Sequence, residues 1–263
     1  MSGALVRSEL RKITSTRLWW GLLIGAVVYT VINAAASAAL AGAEPGPGQP
    51  ATPTLDTAEA IRTAYASSTF TGAYIFAMIL GITGMTGEYR YQTITPTFLA
   101  TPRRPRVVLG KMAAHLLVGV GYGLVAFLGA LVVAGLIVVA RGYDLGLGTD
   151  GLWSAVALAI VAVGLWTLLG IGIGTLIRNQ IAAILVAVFV TFLVEPLGTF
   201  ILSANDLDSV VKWLPTNAST ALTSPGDSFV EYLPWWAGGL VLLGYAAVLA
   251  GLGVLLSTRR DIT

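Results

Sequence analysis

Cysteine is absent from the 263-residue chain, and histidine occurs once, as His115. Disulfides, thiolate nucleophiles and cysteine metal sites are therefore excluded, and imidazole chemistry has little to work with. Charge is also scarce. Asp, Glu, Lys and Arg make up 11% of the residues, against roughly 25% in a soluble domain. Apolar residues fill 56% of the chain, in runs that no globular interior of this size can hide. That distribution excludes a soluble enzyme.

Six segments are long and apolar enough to cross a bilayer: about 18–41, 65–86, 111–140, 152–177, 181–202 and 235–256. The criterion is geometric, since a rise of about 1.5 Å per residue needs about 20 residues to traverse a hydrocarbon core of about 30 Å. The third segment exceeds that need and should tilt or project beyond the membrane. The expected architecture is an all-α membrane protein: a leading helix over 1–17, then a six-helix transmembrane domain over 18–263.

With the N-terminus placed in the cytoplasm, 12 of the 15 basic residues fall on the inner side, and only Arg62, Arg141 and Lys212 fall outside. Lys and Arg are retained on the cytoplasmic face, so both termini are expected there. The acids run the other way: nine lie outside, Glu9, Glu88 and Asp261 inside, and Glu195 within a span. The outer loops are 42–64, 141–151 and 203–234. In the first, Glu44-Pro-Gly-Pro-Gly-Gln-Pro-Ala-Thr-Pro53 has too much Pro and Gly for helix or ladder and reads as a solvated loop. The first span follows a basic leader as a signal peptide would, but its apolar stretch exceeds the 7–15 residues of such a peptide and reads as an uncleaved helix. Arg outnumbers Lys twelve to three, and Ala and Gly abound, which points to a GC-rich bacterial genome and hence a plasma membrane.

Three places carry possible chemistry. Before the first span, Val6, Leu10 and Ile13 form one apolar stripe at helical spacing, with Arg7 and Arg11 on another face. Such a helix can lie in the headgroup layer, its apolar side in acyl chains and its cations near anionic lipid. It reads equally as a basic topology anchor. The second place is the inner loop 87–110, which mixes aromatic, apolar and cationic residues and is too long for a hairpin. A short helix starting near Thr95 and stopped by Pro102 would offer Phe98 and a basic tail of Arg103, Arg104 and Arg106 to a cytoplasmic partner. The plainer reading is a basic loop that enforces topology and touches lipid phosphates. The third is Glu195-Pro196, inside an otherwise apolar run. A carboxylate there costs about 2.5–3.5 kcal/mol on insertion scales, and proline removes a helical N–H and can break the span. It reads either as a gate or substrate contact, or as a carboxyl that is solvated at a mouth or protonated.

Three motifs resemble the membrane-spanning permease subunits of type-2 ABC transporters, typically exporters. Glu9-Leu-Arg-Lys…Arg17-Leu-Trp-Trp20 is similar to that family's interfacial helix running into its first span. Glu88-Tyr-Arg90…Thr93…Leu99-Ala-Thr-Pro102-Arg…Arg106-Val-Val-Leu-Gly-Lys111 resembles its loop before the third span, with Gln92 where the family commonly has glycine. Trp213-Leu-Pro-Thr-Asn217 resembles a segment before its sixth span. The resemblance implies a permease, not itself an enzyme, that pairs with a second permease and binds cytoplasmic ATP-binding-cassette subunits. ATP and Mg would sit on those partners, with no cofactor on this chain and no nucleic-acid partner. It also implies that Glu88, Arg90, Thr93, Phe98, Pro102, Arg103, Arg104 and Arg106 belong to the coupling element. A re-entrant hairpin would follow the fifth span, with Glu195 and Pro196 where that span ends.

Other patterns are discounted. Gly110-Lys111 ends a would-be phosphate loop, but Met112 replaces the required Ser or Thr and Pro105 the leading Gly. Gly170/Gly174 and Gly119/Gly123 have the spacing that lets helices approach, and packing within the chain is expected of them. Trp19, Trp20, Trp235 and Trp236 sit where spans meet water, as interfacial anchors do. Two other classes compete with the permease: a proton-coupled secondary carrier using Glu195, which lacks the usual repeats and midplane polar groups, and an intramembrane enzyme, for which a lone Glu offers too little.

Overall fold

The computed structural model describes residues 3–44, 52–93, 104–223 and 233–260. Helices dominate, and no strand occurs among the described residues. They are α1 (Gly3–Thr14), α2 (Leu18–Leu40), α3 (Ala58–Arg62), α4 (Ser68–Arg90), α5 (Arg104–Ala140), α6 (Leu152–Leu176), α7 (Gln180–Phe189), α8 (Glu195–Ser203), α9 (Asp208–Val211), α10 (Pro215–Thr223) and α11 (Trp235–Arg260).

Six helical units have the length and apolarity of membrane spans: Leu18–Leu40, Ala58–Arg90, Arg106–Ala140, Leu152–Leu176, Gln180–Ser203 and Trp235–Leu256. The expected six are all present, with one large change of boundary. Span 2 reaches seven residues further toward the first outer loop, because α3 joins α4 through a widened π turn over Thr63–Ser67. Thr57 caps this extension by accepting the Ala60 N–H at 3.3 Å.

Spans 2 and 4 form the centre. Their most apolar windows are 67% and 72% buried, against 22% for spans 1, 5 and 6. Lipid tails are as apolar as leucine, so helices in a bilayer associate through close packing of small residues rather than through exclusion of water. A Cβ on Gly81 would stand 2.1 Å from the Thr167 carbonyl oxygen, and one on Gly170 would stand 2.1 Å from that of Met78. The two backbones therefore touch from both sides. Span 1 lays Ala26, Thr30, Ala34 and Ala38, a stripe at four-residue spacing, onto the protein. The glycine pairs pack within the chain as expected: Gly174 lies against Ile82 of span 2, while Gly119 and Gly123 of span 3 lie against Gly164 and Ile160 of span 4.

Termination is local chemistry. Span 3 ends with Gly142 at φ +83°, where the Gly142 and Tyr143 N–H groups bond back to Val139 and Val138. Arg141, one of the three cations on the side expected to be outer, is explained there. Its guanidinium donates to the carbonyls of Ala38 (2.9 Å) and Ala41 (2.8 Å) and so satisfies the free end of span 1.

The fifth span differs from the expectation. Glu195-Pro196 does not break it; helix continues to Ser203. A π turn over Val190–Val194 precedes the proline, and the Glu195 N–H bonds Val190, five residues back. The widened turn makes room for the ring, and Pro196 occupies the first turn of α8, where its missing N–H is tolerated. Glu195 accordingly lies eight residues before the end of the helix, not at it.

Candidate functional site

Helix α1 presents Glu9 and Ile13 to the protein and leaves Arg7 and Arg11 exposed. Its apolar stripe is not given over to acyl chains: Ile13 is buried in the core, and Val6 and Leu10 pack against that core. Leu5 fills the space beside Gly110, where a Cβ would meet its side chain at 2.5 Å. The stripe turns inward because Glu9 lies on the same side of the helix and needs a cation.

That cation is Lys111, only 2% exposed, near the start of span 3. Its Nζ donates to Glu9 Oε2 at 2.5 Å and to Glu88 Oε1 at 2.9 Å. Lys12 closes the group, donating to Glu9 Oε1 at 2.6 Å and to Glu88 Oε1 at 2.9 Å. Two carboxylates and two ammoniums thus balance in charge. Glu9 is 1% and Glu88 6% exposed, so the pairs between Lys111 and these two acids are withdrawn from water. Burial opposes ionisation of Glu9, yet Lys111 and then Lys12 together hold its carboxyl below its ordinary value. Burial likewise works against the Lys12 ammonium, and bonding to Glu9 and Glu88 overcomes it, raising Lys12 above its ordinary value.

The network joins three pieces of chain: α1, the last turn of span 2 and the start of span 3. Residues 91–103 connect the latter two, so the network clamps both shoulders of that connection to the leading helix. One turn further into span 3, His115 Nδ1 meets the Lys111 carbonyl at 2.9 Å, and Thr167 of span 4 donates to the His115 carbonyl at 3.1 Å. The histidine packs rather than ligates, and no group of metal-binding side chains occurs among the described residues.

The expected coupling residues separate into two sets. Glu88 and Arg90 belong to the end of α4, and Arg104 and Arg106 to α5, so they are helical and not part of a loop over 87–110. Each flank continues the helix of its span: Gly87 and Gly110 are carried within the helices, and Pro105 stands in the first turn of α5, where its missing N–H is tolerated. Arg90 donates to Gln180 at 3.5 Å and lies over the Tyr91 ring, while Arg178 lies over Tyr89. These contacts tie the end of span 2 to the turn between spans 4 and 5. Thr93 is exposed and donates its N–H to the Glu88 carbonyl at 2.9 Å. Gln92 takes φ +57°, a left-handed helix cap that glycine adopts more readily. Phe98, Pro102, Arg103 and the short helix expected from Thr95 lie outside the described residues.

Sequence reasoning left Glu9, Lys12 and Lys111 out of the candidate site. A signal was present. Lys is rare here, and two of the three lysines meet in this network. What the sequence hid was the pairing, because Glu9 and Lys111 are 102 positions apart.

A second polar centre lies toward the other end of the spans. Glu195, 6% exposed, accepts the Thr216 N–H at 2.9 Å and its hydroxyl at 2.6 Å, both on Oε2. Its carboxylate thereby occupies the N-terminus of α10, where free N–H groups favour negative charge. Pro196 lines the adjoining cleft. Helix α10 packs on spans 4 and 6, and the Trp166 indole donates to Ser219 at 2.8 Å. Tyr74 stands edge-on to Trp166 with ring centroids 4.6 Å apart and lies 6.4 Å from Phe192, joining span 2 to span 5.

Six helices long and apolar enough to cross a membrane, packed through a shared core, define a multi-pass membrane protein. Residues 5–194 match the family described as ABC-2 family transporter protein, and the chain belongs to it. It is a multi-pass membrane protein and a permease subunit of an ABC transporter, working with ATP-binding-cassette subunits. No curated protein matches the chain.

Proposed function

We propose that this permease is half of the membrane portion of an ATP-driven exporter in a bacterial plasma membrane, with both termini cytoplasmic. It pairs with a second permease, identical or not, through the apolar faces that spans 1 and 5 leave uncovered. ATP and Mg reside on the cytoplasmic ATPase subunits. The cargo is hydrophobic or amphipathic, a drug, antibiotic, peptide or lipid, since the spans offer few fixed charges to a hydrated solute.

The coupling element comprises Glu88, Arg90, Thr93, Phe98, Pro102, Arg103, Arg104 and Arg106, with α1 as its brace at the membrane surface. The observation that carries this reading is the Glu9–Lys111–Glu88 network. A lever transmits force only if its base is stiff, and buried, mutually paired charges hold both ends of the loop to one helix. Segment 203–234 would re-enter the membrane from outside. Its support is depth: Trp166, which Ser219 meets, lies 14 residues into α6, about 21 Å along that helix at 1.5 Å per residue.

The test is purification of the tagged chain in mild detergent and assay of the copurifying ATPase. A nucleotide-binding partner should appear, and Glu88→Gln or deletion of Thr93–Leu99 should abolish permease-dependent ATPase stimulation while insertion persists. Normal stimulation by both variants would remove the coupling role. A proton-coupled carrier is the second reading, favoured by the deeply placed Glu195 carboxyl. Transport that follows the proton gradient without ATP, and is lost in Glu195→Gln, would decide for it.

A further inference from the structure

The inner network gives every buried carboxylate a lysine, whereas Glu195 has none. Among the described residues no Lys or Arg pairs with it. Thr216 engages Oε2 alone, leaving Oε1 without a hydrogen bond among those residues. An open cleft of about 570 Å³ adjoins it, lined by Pro196, Thr199, Phe200, Ser203, Thr216 and Asn217. That size is within the roughly 300–1,000 Å³ typical of small-molecule sites.

The polar groups of the cleft have a common sense. Asn217 directs its amide N–H groups inward, to Thr199 Oγ1 and the Val211 carbonyl, both at 3.1 Å, which leaves its Oδ1 as an acceptor. The Ser203 hydroxyl donates to Asp208 at 2.7 Å and the Thr216 hydroxyl to Glu195, so both of these protons are engaged with carboxylates, while the Thr199 hydroxyl accepts from Asn217 and keeps its own proton. Apart from that hydroxyl, what remains is acceptors: Glu195 Oε1, Asn217 Oδ1 and the Asp208 carboxylate. Lys212, half-buried, is the one cation in the segment 203–223. The apolar part of the wall is Pro196, Phe200 and Ala204.

We infer that the outer half of span 5 and helix α10 form a subsite for a lipophilic organic cation. Its charged group is matched by Glu195, with Asp208 at the mouth, and its apolar body rests on Pro196 and Phe200. The physical basis is complementarity in a low-dielectric setting. A buried carboxylate without a counter-ion is costly, a cation arriving beside it relieves that cost, and aromatic faces add cation–π attraction. An anionic cargo would meet no fixed cation in the cleft and, apart from the Thr199 hydroxyl, only acceptors. The inference rests on the reading of Glu195 as a pathway residue and narrows the cargo from amphipathic molecules in general to positively charged ones.

The experiment uses the purified transporter in lipid nanodiscs without nucleotide, so its outcome does not depend on ATP coupling. Binding of tetraphenylphosphonium is measured by equilibrium dialysis, beside the shape-matched anion tetraphenylborate. Saturable binding of the cation is expected, weakened about tenfold or more by Glu195→Gln, which keeps an acceptor for Thr216, and less by Asp208→Asn. Tetraphenylborate should show no saturable, Glu195-dependent component. Equal cation affinity in wild type and Glu195→Gln overturns the proposal, as does an absence of saturable cation binding or equal saturable binding of the anion. Lost ATPase stimulation with intact cation binding would instead strike the coupling reading and leave the subsite standing.

Discussion

The two polar centres solve the same physical problem in opposite ways. At the end of the spans where α1 packs, Glu9 and Glu88 are buried against Lys111, and each has a counter-ion supplied by the chain. Toward the other end, Glu195 is buried to the same degree as Glu88 but receives only the N–H and hydroxyl of Thr216. A charge that the protein neutralises itself is a fastener. One that the protein leaves without a counter-ion is available to something that comes and goes.

The sharpest way to break this contrast is to remove the fastener. Lys111→Met leaves two acids facing each other with Lys12 alone between them. Truncating one partner of a buried pair costs about 3–5 kcal/mol, so thermal unfolding in detergent should fall by a matching amount. Adding Glu9→Gln and Glu88→Gln to that variant should restore part of the loss; no recovery would mean that Lys111 acts through its aliphatic stem. A smaller effect is expected at the proposed coupling element. Changing Arg103, Arg104 and Arg106 to Ala together should reduce copurification of the ATPase subunit without lowering thermal stability, and unchanged recovery would remove these cations from the interface.

Acid provides a milder probe. The Glu9 carboxyl is held below its ordinary value near 4.5 in the folded protein, so its stabilising contribution is present above that value and is lost as pH falls through the lower folded value. Thermal stability should therefore decline on acidification, with a shallower decline in Glu9→Gln. Equal slopes would show that other groups set the acid response. The smallest change concerns Gln92. Its left-handed conformation costs a residue with a Cβ about 1–2 kcal/mol, so Gln92→Gly should leave stability unchanged or raise it by about 1 kcal/mol. A clear loss would mean that the glutamine side chain has a role of its own.

The spans were legible because bilayer thickness and helical rise fix their length, and because their apolar runs end at charges or turn residues. Arg7 and Arg11 were legible as an exposed face for the same periodic reason. The partners were not. Nothing local to Glu9 says that its counter-ion lies at Lys111, since that contact exists only once α1 has folded back onto span 3. The same holds for Glu195: its acceptance of the Thr216 N–H depends on how α10 lodges between spans 4 and 6. Proline marked position 196 correctly as special but not what the chain does there, because a break and a widened turn both answer a missing N–H. The stripe Val6, Leu10 and Ile13 misled in a related way, since periodicity reports an apolar side and not whether lipid or protein covers it.

The five-residue back-bond from Glu195 to Val190 also fixes a direction. Each residue in an α-helix advances about 100° around the axis, so drawing the bulge out into regular turns would swing everything beyond it by roughly that angle. Glu195 would then swing off Thr216. Span 5 thus carries a built-in azimuth setting, and one residue more or fewer between Val190 and Val194 would re-aim the carboxylate without touching its chemistry.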